Sequence, residues 1–91
     1  MDVSKYGYHV YKKTPPFIFI RKNDTDNISD IVVVFDTEAK FVSGGLITIS
    51  PIQNMDDMTH MYKLYQDFQK DIRQFSELTG YDIILERNIE L

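Results

Sequence analysis

Apolar and polar residues change their spacing near residue 50, and this change divides the chain into two kinds of structure. Up to residue 49, short apolar runs alternate with turn-forming clusters, a pattern typical of β-strands. Beyond residue 50, the apolar residues recur every three or four positions, which is the spacing of one face of an α-helix. The pattern therefore predicts several strands followed by one long helix.

Four strands are predicted in the first half of the chain. The first alternates from Tyr6 to Tyr11 and ends before Pro15-Pro16, since proline has no backbone N–H for a sheet. The other three are predicted at residues 17–20, 31–35 and 41–49. Residues 31–35 are all β-branched or aromatic, which favours a central strand. Gly44-Gly45 predicts a bulge or a split in the last strand.

The helix is predicted to run from about residue 56 to residue 79, with Gly80 ending it. Ser50 begins a capping-box pattern with Pro51 and Gln53 in the first turn, and Asn54 and Asp56 are alternative starts. Its apolar stripe contains Met58, Met61, Tyr65, Phe68, Ile72 and Phe75, widened by Tyr62, Leu64 and Leu78.

These elements predict a single α+β domain over residues 1–91. Short connections make consecutive strands antiparallel, so we expect a four- to five-stranded sheet in the order β-β-β-β-α, with the helix on one face. Residues 82–86 can add a last strand.

Two of the strands are apolar at successive positions, which places large side chains on both faces of the sheet. One helix covers only one face, and a helix of about 24 residues is longer than the strands it covers. The sequence therefore predicts an apolar interface, for which we select Ile18, Ile20 and Val33, bound by a host protein or by a second copy of the chain. The first strand or the C-terminal tail folding over that face is the alternative.

The formal charge is −4, and it is distributed unevenly. An acidic middle segment predicts either a solvated rim or a partner-binding surface whose carboxylates imitate phosphates. Its loop residues are Asp24, Asp26, Asp30, Asp36 and Glu38.

The N-terminal segment is basic and rich in tyrosine, which is typical of surfaces that stack on single-stranded nucleic acid. The residues predicted for this alternative function are Lys5, Tyr8, Lys12, Lys13, Arg21 and Lys22. The remainder of the chain is acidic and opposes binding to a polyanion.

Motifs of catalysis are not found. The chain has no cysteine, and its two histidines, His9 and His60, show neither metal-ligand nor catalytic spacing. Residues 24–35 begin like a calcium loop but lack its glycine and its glutamate. We therefore expect a protein that is not an enzyme and that holds no cofactor. No N-terminal apolar segment is present, so we expect a cytoplasmic protein with no membrane partner.

A short, acidic, cysteine-free chain with one alanine and many residues of AT-rich codons resembles accessory proteins of phages and prophages of low-GC Gram-positive bacteria. The resemblance implies a small non-enzymatic protein that binds and redirects a host protein. Inhibition of a host defence nuclease, as by anti-CRISPR proteins, is its most concrete form. The alternatives are a nucleic-acid-binding accessory protein and a self-associating assembly component.

Overall fold

The computed structural model describes residues 2–23, 29–48 and 51–84, which form a five-stranded sheet and one long helix. The strands are β1 (Tyr8–Thr14), β2 (Phe17–Lys22), β3 (Ser29–Asp36), β4 (Phe41–Thr48) and β5 (Asp82–Ile83). A short 3₁₀ helix, Val3–Tyr6, precedes β1, and the long helix α1 spans Met55–Thr79 between β4 and β5. The predicted α+β class is confirmed.

The spatial order of the strands is the order of the chain, β1-β2-β3-β4-β5. The first four pair antiparallel with their neighbours along the chain, and β3 is central, as predicted. The fifth strand is parallel to β4, because α1 carries the chain back to the starting edge of β4. The sheet is therefore mixed at one edge, and residues 85–86 of the predicted last strand lie outside the described residues.

The bulge is in a different strand from the one predicted. β3 and β4 pair residue for residue through Gly44 and Gly45, so the predicted irregularity there is wrong. The register shifts instead between Val10 and Lys12 of β1, which leaves Tyr11 as an extra residue. The first strand also begins later than predicted, since Tyr6 ends the 3₁₀ helix.

Asn54 is the N-cap of α1, and its side chain accepts a hydrogen bond of 2.9 Å from the backbone N–H of Asp57. Ser50 lies outside the described residues, and Pro51 and Gln53 precede the helix, so the predicted capping box is wrong and the alternative start is correct. At the other end, Gly80 takes the left-handed conformation as predicted, and its N–H donates to the carbonyl of Ser76.

The core lies between α1 and one face of the sheet. The helix contributes its buried residues Leu64, Phe68, Ile72 and Phe75, and the sheet contributes Tyr8, Ile20, Ile31, Val33, Phe35 and Val42. Four other residues of the predicted stripe are exposed instead, namely Met58, Tyr62, Tyr65 and Leu78. No helix within residues 2–23, 29–48 and 51–84 has the length and apolarity needed to span a membrane.

Candidate functional site

The two faces of the sheet differ in what covers them. The long helix packs on one face, and the 3₁₀ helix places Val3 in the same core. In the described part of the chain, no second layer covers the opposite face, which we call the open face. Register assigns to it Phe17, Phe19 and Arg21 of β2, Asp30, Val32 and Val34 of β3, and Ile47 of β4. Of these, Asp30 and Val32 are buried, and the exposed apolar area lies towards β1 and β2 and at Ile47.

The bulge in β1 adds an aromatic ring to the open face. Because Tyr11 is the extra residue, it departs from the strand's alternation, and its ring lies 6.0 Å from that of Phe19. Phe19 is in turn 6.4 Å from Phe17. Tyr11 and Phe17 are 43% and 39% exposed. Three neighbouring rings therefore lie along the edge of the open face formed by β1 and β2.

Two cations lie over these rings. The guanidinium carbon of Arg21 is 5.4 Å from the centre of the Tyr11 ring, and the Lys12 ammonium is 5.7 Å from that of Phe19. Both distances are within the range of a cation–π contact, which holds the flat ring and the long side chain together. These side chains therefore pack against one another and form one surface. We call it the aromatic platform, and it consists of Tyr11, Phe17 and Phe19 with Lys12 and Arg21.

An ion pair neutralises part of this platform. Arg21 donates to Asp30, and Asp30 is only 3% exposed although it lies on the open face. The carboxylate holds the pKa of Arg21 above its ordinary value through this hydrogen bond and its charge. Asp30 therefore neutralises the charge of Arg21. Of the two cations over the rings, only Lys12 adds net charge to the aromatic platform.

The predicted acidic surface is not found among the described residues. Asp24 and Asp26 lie outside them. Asp30 is buried within β3 and paired, so its assignment to an accessible loop is wrong. Asp36 accepts hydrogen bonds from the backbone N–H groups of Glu38 and Ala39, which closes the turn after β3. Of the five, Glu38 is the one that the structure shows as exposed.

The predicted apolar interface is on the wrong face. Ile20 and Val33 pair with each other and are fully buried beneath the helix, and Ile18 is partly buried against the same core. Side chains alternate between faces along a strand, so the exposed surface belongs to their neighbours Phe17 and Phe19. Successive apolar residues indicated that both faces are apolar, but they did not indicate which face the helix covers.

The predicted nucleic-acid contacts are divided between the two faces. Tyr8 is fully buried on the helix side, where its hydroxyl donates to Asp71 of α1 at 2.7 Å. Lys22 forms an ion pair of 3.0 Å with the same carboxylate. Burial and the hydrogen bond to Asp71 raise the pKa of Tyr8 well above its usual range. These two residues connect the sheet to the helix, and Tyr8, which is fully buried, is not available to a ligand.

The other three lysines of that set are exposed but dispersed, and Arg21 is partly buried. Lys12 is on the open face, Lys13 is paired in register with Ile18 and therefore points to the opposite side, and Lys5 lies in the 3₁₀ helix. Lys5 lines an open groove of about 520 Å³ whose apolar wall is formed by Tyr6, Ile18, Phe35, Leu78 and Tyr81. The six predicted residues do not form one basic surface.

Other kinds of site receive no support from the described residues. No group of three His, Asp or Glu side chains comes together within them in a way that could hold a metal ion. The residues that sequence reasoning missed are Tyr11, Phe17 and Phe19, and Tyr11 could be placed only once the bulge was known. No protein-family model, curated protein or solved structure matches this chain.

Proposed function

We propose that this chain is a non-enzymatic protein-binding module whose partner docks on the open face of the sheet. The observation that carries the proposal is the row of neighbouring rings of Tyr11, Phe17 and Phe19 on a sheet face that no described element covers. Contiguous apolar surface of this kind is typical of interaction sites.

The chemistry of the platform favours a protein partner. Tyrosine, phenylalanine and arginine are enriched in protein interfaces, where large rings with few rotatable bonds bury much area at low entropic cost. The rings stand on strands and are held by cation–π contacts, so little ordering remains for the binding step. The Arg21–Asp30 pair leaves the surface weakly charged, as the centre of a protein interface requires.

The resemblance to phage accessory proteins gives this proposal its most concrete form, an inhibitor of a host defence nuclease that acts in the cytoplasm. Two of the acidic loop residues support no imitation of phosphates, because Asp30 is buried and Asp36 closes a turn. An inhibitor built on this fold would act by covering a surface of its target with the aromatic platform.

A second candidate function is the binding of single-stranded nucleic acid. One observation favours it: Arg21 lies over the exposed ring of Tyr11 and Lys12 over the half-buried ring of Phe19, and bases and phosphates bind where cations and rings adjoin. The net charge of −4 and the pairing of Arg21 with Asp30 oppose it.

The proposal is tested by capturing partners from the lysate of a low-GC Gram-positive host with the immobilised chain, then measuring the affinity of the captured protein. We expect Phe17→Asp to weaken binding at least about tenfold, as loss of an interface anchor does. Leu78→Asp is the matched control, since Leu78 is similarly exposed but lies near the end of α1. Equal affinities for both variants would contradict the platform as the binding site.

Fluorescence anisotropy with single-stranded DNA and RNA distinguishes the second candidate. Nucleic-acid binding must weaken steeply as salt rises, because counterions are released from the phosphates. We expect no salt-dependent binding. Binding that disappears both with added salt and in Lys12→Glu would replace the protein-binding proposal with the nucleic-acid one.

A further inference from the structure

The first half of α1 carries a second apolar stripe that does not face the core. Met55, Met58, Tyr62 and Tyr65 follow one another at spacings of three, four and three residues. Their exposed fractions are 75%, 53%, 64% and 47%, whereas the core residues Leu64 and Phe68 of the same helix are buried. We call these four residues the exposed stripe. Spacings of three and four residues are those of the contact positions in a coiled coil.

We propose that two copies of the chain associate through the exposed stripe, with their α1 helices antiparallel and crossing near residue 60. The dimer does not depend on the proposed binding function, because the stripe lies on the helix and the aromatic platform lies on the open face of the sheet.

The order of residues along the stripe favours the antiparallel arrangement. The two methionines come first and the two tyrosines follow, so an antiparallel pair places Met55 against the partner's Tyr65 and Met58 against the partner's Tyr62. Every layer then contains one thioether and one ring, a favourable combination. A parallel pair would instead stack each residue on its own copy.

The residues beside the stripe add no charge repulsion between two copies. Asp56 and Lys63 are exposed, but each follows a stripe residue by one position, which turns it roughly 100° around the helix, so neither points towards a partner helix packed on the stripe. Thr59 and Gln66, which flank the stripe directly, carry no charge.

The available area is sufficient for a reversible dimer. Large side chains present roughly 150–250 Å² when fully exposed, so each residue of the stripe offers on the order of 100 Å². With Ile52, which is exposed just before the helix, two copies would bury at most about 1,000 Å², the lower limit for a specific interface. Interfaces at this limit are typical of weak, reversible association.

Sedimentation velocity of the full chain tests the dimer directly. We expect the mass to rise from 10.7 kDa towards twice that value as the concentration increases from about 1 to 500 µM. Tyr62→Glu places a charge at the middle of the stripe and is expected to weaken dimerisation at least tenfold. Gln74→Glu adds the same charge on an exposed part of α1 away from the stripe and is expected to have no effect.

Cysteine pairing tests the orientation, because the chain contains no cysteine of its own. Met55→Cys and Tyr65→Cys are oxidised separately and after mixing. We expect a disulfide-linked dimer to form efficiently only in the mixture, in which the two thiols meet across an antiparallel pair. Efficient linkage of Met55→Cys alone would overturn the antiparallel arrangement.

Two outcomes would overturn the dimer itself. One is a monomer at every concentration, and the other is a dimer that Tyr62→Glu leaves unchanged, since such a dimer would use another surface. Phe17→Asp separates the two proposals: it is expected to weaken binding of the partner protein at least about tenfold while leaving self-association at its normal strength.

Discussion

Tyr8 connects the sheet to the helix through a single hydroxyl group. Its ring is fully buried against Phe75, and its hydroxyl donates to Asp71, which also pairs with Lys22. We expect Tyr8→Phe to lower the free energy of unfolding by about 1–3 kcal/mol, because the ring is kept and one hydrogen bond to a charged group is lost. Urea denaturation measures the loss, and Tyr11→Phe, whose hydroxyl is on an exposed residue, is the control. Equal effects would contradict a stabilising role for the Tyr8–Asp71 bond.

The same residue predicts a dependence of stability on pH. The pKa of Tyr8 in the folded chain lies above its ordinary value of 10.0, because burial and Asp71 disfavour the phenolate. Above pH 10 the unfolded chain releases this proton while the folded chain keeps it, so the free energy of unfolding falls as pH rises. The contribution is fully present below pH 10. We expect a shallower fall for Tyr8→Phe between about pH 9 and 11, and identical slopes would contradict the assignment.

Two adjacent glycines give a matched test of packing. A Cβ at Gly44 would meet the backbone oxygen of Val32 and would lie 3.1 Å from the ring of Phe68, whereas a Cβ at Gly45 meets nothing within 4 Å. Gly44 therefore lets the helix approach the sheet closely. We expect Gly44→Ala to lower the melting temperature and Gly45→Ala to leave it unchanged or raise it slightly. A comparable loss in both variants would show that the close approach is not what the glycine provides.

At the scale of the element, α1 packs on the sheet with only part of its apolar surface, and the rest of that surface is exposed. Phe68 is buried, and Tyr65, one turn earlier, is half exposed. We expect Phe68→Ala to cost about 3–5 kcal/mol of stability, since it opens a cavity in the core. Tyr65→Ala is expected to cost far less in the monomer. Chemical denaturation of both variants at low protein concentration makes the comparison, and similar losses would contradict the assigned core face.

The beginning of the helix depends on one capping residue. The side chain of Asn54 accepts a hydrogen bond from the backbone N–H of Asp57, and Asn54 is the N-cap of α1. Asn54→Ala is expected to cost about 1 kcal/mol, and Asn54→Asp is expected to retain most of the stability, because aspartate caps equally well. Thermal unfolding checks both. An unchanged melting temperature in Asn54→Ala would show that another residue begins the helix.

At the scale of the whole molecule, the aromatic platform and the exposed stripe lie on different elements. The platform is on β1 and β2, and the stripe is on the first half of α1, which packs on the other side of the sheet. A dimer formed through the stripe would therefore leave two platforms free. Light scattering of the complex is expected to give two copies of the partner for every two copies of the chain, and a single bound partner per dimer would contradict independent surfaces.

The sequence alone determined the kind and order of the elements. Alternation and β-branched residues indicated the strands, the spacing of Phe68, Ile72 and Phe75 indicated the helix, and Gly80 indicated its end. Each of these signals acts over a few residues, through backbone preferences and through the need to bury one face of each element. The candidate surface was foreseen only in part: apolar residues on both faces of the sheet predicted an uncovered face.

Only the tertiary structure decided which face of the sheet is uncovered. The helix lies over Ile20 and Val33, which exposes Phe17 and Phe19, and a shift of one residue would have reversed the choice. It also turned Tyr11 onto the platform through a bulge, and it paired Asp30 with Arg21. Local patterns cannot supply these outcomes, because each depends on contacts between residues that only the folded chain brings together.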